Sequence, residues 1–171
     1  MSDASLSHLL TRVRALEGLV RRAVDRRRAG DPAPDDPFRG LYLSHEHIDR
    51  LFDEPAEPAV PDEDFQAEEE AIEAAADRLD GVLRLRLLAA AFGLTDMDVR
   101  LLLVALAPDV EPRFERFYGY LNDDVTRRRA TIGLALELAG GAPAQAADRA
   151  RVGRLADAGL VIIEDADRPY L

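Results

Sequence analysis

Across 171 residues the chain carries 22 basic side chains, every one an arginine, against 33 acids, for a net charge of −11. The absence of lysine excludes a phosphate-loop ammonium and a Schiff-base amine, and the absence of cysteine excludes disulfides, thiolate metal sites and thiol nucleophiles. No apolar run approaches the roughly 20 residues that span a bilayer, and the opening MSDASLSHLL lacks the basic start and unbroken apolar core of a signal peptide, so the chain is read as cytoplasmic, with no membrane partner.

Hydrophobic residues make up 47% but aromatics only 6%, so the core must rest on Leu, Ala, Val and Ile. Charge is unevenly spread. Residues 1–30 carry seven Arg and three acids (net +4), residues 31–80 three Arg and seventeen acids (net −14), and residues 81–171 twelve Arg and thirteen acids (net −1). The acidic middle repels polyanions, whereas the basic first segment is suited to an acidic partner or to folding back on that middle.

Residues 1–30 read as a long amphipathic helix, capped by Ser2 or Asp3 and ended by Gly30 and Pro32. Leu6, Leu9, Val13, Leu16, Val20 and Ala23 recur at alternating spacings of 3 and 4, an a/d seam. Two readings stand: the stripe packs on its own domain, or helix 3–28 is a coiled-coil arm for self-association or partner docking. Residues 31–67 form an acidic, proline-rich linker with a short helix at 45–52 that has Ile48, Leu51 and Phe52 on one face; the stretch EPAEPAVPDEDF after it should bury little.

Residues 68–171 read as a helical domain. EEEAIEAAADRLD is helical and either breaks at Gly81 or runs on into VLRLRLLAAAF. Gly93 and Leu94 turn the chain, and Thr95 with Asp98 forms a short capping box for DMDVRLLLVALA, the most buried helix, which Pro108 should end. In EPRFERFYGYL, Phe114, Phe117, Tyr118 and Leu121 fall at i, i+3, i+4 and i+7. A further helix follows the arginine run, with Ile132, Ala135, Leu136 and Ala139 inward and Gly140 and Gly141 as its stop. An Arg-rich helix then ends at Gly159, LVIIED reads as a strand, and DADRP as a turn. Helices followed by strand–turn–strand is the order of a winged helix. The expected fold is therefore mostly α: a winged-helix-like core with a short C-terminal β-hairpin wing, preceded by a long N-terminal helix.

The stretch NDDVTRRRAT places Asp123 and Asp124 just ahead of Arg127, Arg128 and Arg129. On a helix three consecutive arginines would fan over about 200°, too wide for one ligand. The acids can pair with them locally, an arginine can reach an acidic partner, or the run can contact nucleic acid, which the net charge disfavours. His45 and His47, two apart, cannot share a metal on a helix, and the acids at 62–70 lack an EF-hand's spacing and central glycine. LLLVALAPD lacks the second acid of a Walker B strand, and no GxSxG or HExxH is present. Neither a catalytic constellation nor a metal site is expected.

From Phe92 to Gly140, the combination of FGL, VALAP, YGYLNDDVTRRR and TIGLALEL resembles the N-terminal winged-helix-type domain that precedes the ATPase module in a group of bacterial AAA+ ATPases, often encoded with contractile injection systems. The likeness extends more loosely through Gly40 to Phe52 and to the terminal DRPYL. Ala130 departs from it, since the family commonly has proline there. The resemblance implies a non-catalytic protein-interaction domain that recruits a partner or packs on the ATPase module of its own polypeptide. ATP and Mg²⁺ would belong to that module, beyond Leu171, and no cofactor to this stretch. The candidate contacts are Asp123, Asp124, Arg127, Arg128 and Arg129, with Arg168 in the wing around Asp165 to Arg168. The alternatives are a nucleic-acid-binding winged-helix regulator and a coiled-coil dimerisation module.

Overall fold

The computed structural model describes residues 4–29, 48–49, 71, 74–75, 77, 83–141, 143 and 145–164. The helices among them are α1 (Ala4–Ala29), α2 (Arg84–Phe92), α3 (Asp96–Val110), α4 (Arg113–Leu121), α5 (Ile132–Leu138) and α6 (Ala146–Asp157). None of these is long and apolar enough to cross a membrane. Ser2, Asp3, most of the linker 31–67 with His45 and His47, most of the run from Glu68 to Gly81, and Asp165 to Leu171 with Arg168 lie outside the described residues.

α3 is the hub, packing on α1, α4, α5 and α6. Its sequence is apolar nearly all round, as a central helix requires. Val99, Leu103, Val104 and Ala107 face the main core, and Leu101 faces a second cluster formed with α5 and α6. Ala107 and Pro108 are buried, while Leu102 and Leu106 are only half-buried. The capping box is present: Thr95 N–H donates to Asp98 Oδ2 at 2.9 Å, and Asp98 N–H to Thr95 Oγ1 at 3.3 Å. Asp98 is thereby buried with its lone pairs satisfied.

α3 does not end at Pro108; it continues to Val110. Proline has no N–H, so the carbonyl of Val104, four residues back, loses its helical donor. The Tyr118 hydroxyl of α4 donates to that carbonyl at 3.0 Å from a fully buried position. With no charged neighbour to offset it, burial pushes the Tyr118 phenol far above its usual range. The ring is flanked by Phe114, which also meets Phe117 edge-on at 5.8 Å. The expected α4 face, Phe114, Phe117, Tyr118 and Leu121, is the buried one.

From Val13 onward the apolar stripe of α1 is buried in the same core, whereas Leu9 is half-buried and Leu6 is exposed. Val13, Leu16, Val20, Ala23 and Val24 pack with residues of α3, α4 and α5. A second copy docking along that seam would have to displace them. The buried pair Glu17–Arg113, at 3.3 Å, ties α1 to the start of α4. Ile48, on the apolar face expected of the short helix at 45–52, is fully buried in the main core, and Asp49 pairs with Arg28 at 2.8 Å.

Four helices end alike. Gly93, Asp123, Gly140 and Gly159 all have positive φ. The next residue's N–H reaches back five positions in each case: Leu94 to Ala89, Asp124 to Gly119, Gly141 to Leu136, and Leu160 to Leu155, at 2.8–3.0 Å. This is the Schellman closure, which satisfies carbonyls orphaned at a helix end.

The expected C-terminal β-hairpin wing is overturned. No strand occurs among the described residues, and residues 160–164 of LVIIED join no sheet. The β-branched run predicts a strand only if a partner strand takes its backbone groups. Here the closure at Gly159 turns Leu160 and Val161 onto Leu101, Leu136, Val152 and Leu155, and Ile162 is left 88% exposed.

Tyr118→Phe should lower stability by about 1–3 kcal/mol by leaving the buried Val104 carbonyl unsatisfied. Pro108→Ala restores the missing amide, so Tyr118→Phe should cost much less in that background. Urea unfolding of the two single variants and the double variant measures the difference; equal costs in both backgrounds would remove the assigned role of the hydroxyl.

Candidate functional site

The segment Asn122–Thr131 links α4 to α5 and is not helical, so the three arginines do not fan about a helix axis. Asn122 holds it closed. Its Nδ2 donates to the carbonyls of Arg129 at 2.9 Å and Arg127 at 3.3 Å, and its Oδ1 accepts from Thr131 Oγ1 at 3.0 Å. Thr131 Oγ1 in turn accepts from Leu134 N–H at 3.2 Å and so caps α5. One amide therefore connects the end of one helix, the loop and the start of the next. Asp124 shapes the first half of the loop, with Oδ1 accepting from Thr126 N–H at 2.9 Å and Thr126 Oγ1 at 2.6 Å, an Asx-type turn.

Each arginine of the run is directed to a different carboxylate. Arg127 Nε pairs with Asp124 at 3.1 Å, Arg128 with Glu115 of α4 at 3.5 Å, and Arg129 with Asp109 of α3. The last is bidentate, at 2.8 and 2.6 Å, the geometry in which a guanidinium fork matches a carboxylate. The arginines ending α1 follow the same pattern: Arg26 pairs with Glu137 at 2.9 Å, Arg27 with Asp123 at 3.3 Å, and Arg28 with Asp49. Asp123 and Asp124 thus sit in one loop with Arg127, Arg128 and Arg129, and α1 reaches that loop through Arg27.

The pairing shifts proton affinities. Asp109 is held below the usual carboxylate range by its hydrogen bonds from Arg129, and Asp124 by those from Thr126 and then Arg127. Arg129 is raised by Asp109. At Asp98 burial opposes ionisation, but Thr95 and then Arg151 outweigh it and the net shift is downward. Arg151 of α6 reaches Thr95 Oγ1 at 3.1 Å and Asp98 Oδ1 at 3.4 Å, so the box that starts α3 also docks α6.

Asp123 has φ 56° and is the non-glycine residue with positive φ among the described residues. It occupies the closure position that glycine fills at the ends of α2, α5 and α6. Its side chain is mostly exposed and makes only a surface pair with Arg27.

Sequence reasoning did not single out Asn122, Asp109 or Glu115. Asn122 had a weak signal, an amide at a helix end next to a turn. Asp109 and Glu115 had none, because their partners lie 20 and 13 residues away. Also missed was the outer face of α2, where Leu87 is 56% and Phe92 48% exposed and no residue of the helix is buried. α2 is fixed at its start by another helix: Leu83 supplies no side-chain cap, and Arg84 N–H donates to Ser5 Oγ of α1 at 2.8 Å.

One family, "Winged helix domain, variant", matches residues 3–167. The chain belongs to that family. No curated protein and no solved structure matched it. Winged helix domains serve as DNA-binding or protein-interaction modules. In this winged helix variant the match takes in the whole of α1, which shares the core with α3, α4 and α5.

The stability contributed by the depressed carboxylates Asp98, Asp109 and Asp124 is complete above the unfolded value of about 3.9 and is lost as the pH falls through their lower folded values. Urea midpoints should therefore hold down to about pH 5 and fall below about pH 4, with Asp98→Asn showing a shallower fall than the parent. Asp123→Gly should raise stability by a few tenths to about 1 kcal/mol by relieving the left-handed backbone. Thermal melts at neutral pH check it, and a clear loss would mean that the Asp123 carboxylate contributes more than its exposed pair suggests.

Proposed function

We propose that this winged helix variant is a non-catalytic protein-interaction module, the N-terminal domain of an AAA+ ATPase, recruiting a partner or packing on the ATPase module of its own polypeptide. The carrying observation is α2. Its sequence RLRLLAAAF is apolar, yet Leu87, Ala90, Ala91 and Phe92 are all exposed. Clustered apolar exposure on a helix is characteristic of surfaces that other proteins cover. The resemblance of Phe92 to Gly140 to the N-terminal domains of AAA+ ATPases linked to contractile injection systems favours that setting.

The nucleic-acid reading has less support. Arg127, Arg128 and Arg129 already meet carboxylates of their own chain, and phosphate binding would have to break those pairs in a chain of net charge −11. If α5 and α6 were used as a helix-turn-helix pair, α6 would enter the groove. Its Arg151 instead turns back to Asp98, and its Arg149 donates to the Pro143 carbonyl at 3.3 Å.

Site-specific photo-crosslinking in cells separates the readings. With p-benzoylphenylalanine at position 87, ultraviolet exposure should yield adducts to protein. With the same group at position 154, on the exposed side of α6, it should yield none to nucleic acid. DNA adducts from position 154, together with salt-sensitive binding of duplex DNA by the purified chain, would overturn the protein-interaction reading.

A further inference from the structure

The 122–131 loop holds two residues whose types disagree with their backbone. Asp123 occupies the left-handed closure position that glycine fills at three other helix ends. Beyond it, Arg127 N–H donates to the Asp124 carbonyl at 2.9 Å and closes a turn with Val125 and Thr126 at its corner. Turn corners favour glycine, proline, asparagine, aspartate and serine, and a β-branched apolar residue gains nothing there. Val125 is 38% exposed and belongs to neither apolar cluster. Departures from local preference that packing does not explain are expected at functional sites. Position also separates this tip from α2. Asp123 pairs with Arg27 near the end of α1, whereas α2 starts against Ser5 near its beginning. Those two anchor points lie about 33 Å apart along the helix.

The arginine pairs select the partner. Arg129 is committed to Asp109 by two hydrogen bonds, and Arg127 to Asp124 inside the turn. Arg128 is held most loosely, by Glu115 at 3.5 Å, and its side chain is the most exposed of the three, at 69%. A surface pair of this kind contributes little, so Arg128 can exchange Glu115 for a carboxylate of another protein that matches its guanidinium fork. Arg128 follows Val125 by three residues, which puts a cation and an aliphatic side chain on one tip. The hydrogen bonds of Asn122 and Asp124 hold that tip in shape beforehand, which lowers the ordering cost of binding. We propose that the loop tip is a second protein-contact surface, with Val125 seated in a shallow apolar depression of a partner and Arg128 on an acidic side chain beside it. The proposal rests on the protein-interaction reading and adds to it a second surface, with its chemistry, at the other end of α1 from the start of α2.

The test is photo-crosslinking in cells with p-benzoylphenylalanine at position 125 of the full chain, where its aromatic ketone keeps an apolar group at the turn corner. Protein adducts are expected, mapped by mass spectrometry to a segment with Asp or Glu within a few residues of the joined site. Arg128→Glu should lower their yield about tenfold or more, because it replaces an attractive pair with a repulsive one. Arg154→Glu, the same charge change on the exposed side of α6, should leave the yield unchanged. Matched thermal melts show that both variants remain folded. No protein adduct from position 125, adducts to nucleic acid, adducts on segments without acidic residues, or equal effects of the two charge reversals would each overturn the inference. If position 125 fails while position 87 still yields protein adducts, the loop's role falls and the wider reading stands.

Discussion

The hydroxyl of Tyr118 on the carbonyl of Val104 is the contact on which the arrangement of the other helices rests. A proline in the last turns of a buried helix leaves a carbonyl without its donor, and a buried unpaired carbonyl is costly. α4 supplies the donor from a residue that also stacks in the core. Because α3 survives past Pro108, Asp109 emerges at its end in a position to take both arms of Arg129. Because α4 is pinned by Tyr118, its own end presents Asn122, whose amide closes the loop onto the cap of α5. Burial, backbone satisfaction and loop geometry are coupled through one phenol.

The arginines follow a consistent logic. Two triplets, 26–28 and 127–129, look in sequence like concentrated positive charge. In the fold each of the six is directed to a separate carboxylate, and those acids come from the segment at 49, α3, α4, α5 and the loop itself. Most of these pairs are exposed, and individually each contributes little, on the order of 0–1 kcal/mol. Their larger consequence is for recognition. They offset much of the positive charge of the two triplets that a polyanion would otherwise meet. Together with the apolar outer face of α2, this supports the proposed protein-interaction reading.

Helices whose apolar face is complete within their own sequence were legible. α4 is the clearest case, with Phe114, Phe117, Tyr118 and Leu121 at helical spacing, and the Thr95–Asp98 box was readable because both partners lie within one turn. The stop at Pro108 was misread because a local rule was applied where a residue ten positions further along supplies the compensation. The strand at LVIIED was misread for a related reason: β-branched residues favour extended backbone only when a neighbouring strand takes their hydrogen bonds, and here a closed helix end and an apolar cluster compete for them.

The sequence by itself determined the exclusions and the local structure: no thiol or amine chemistry, helices of defined face, capped starts and glycine stops. These follow from residue type and from interactions spanning at most a few positions. Only the tertiary structure decided which charges were already answered, that the stripe of α1 from Val13 onward faces inward, and that Arg100 meets no carboxylate among the described residues. Those outcomes depend on groups far apart in the chain, whose meeting is set by how the helices pack and which no local pattern encodes.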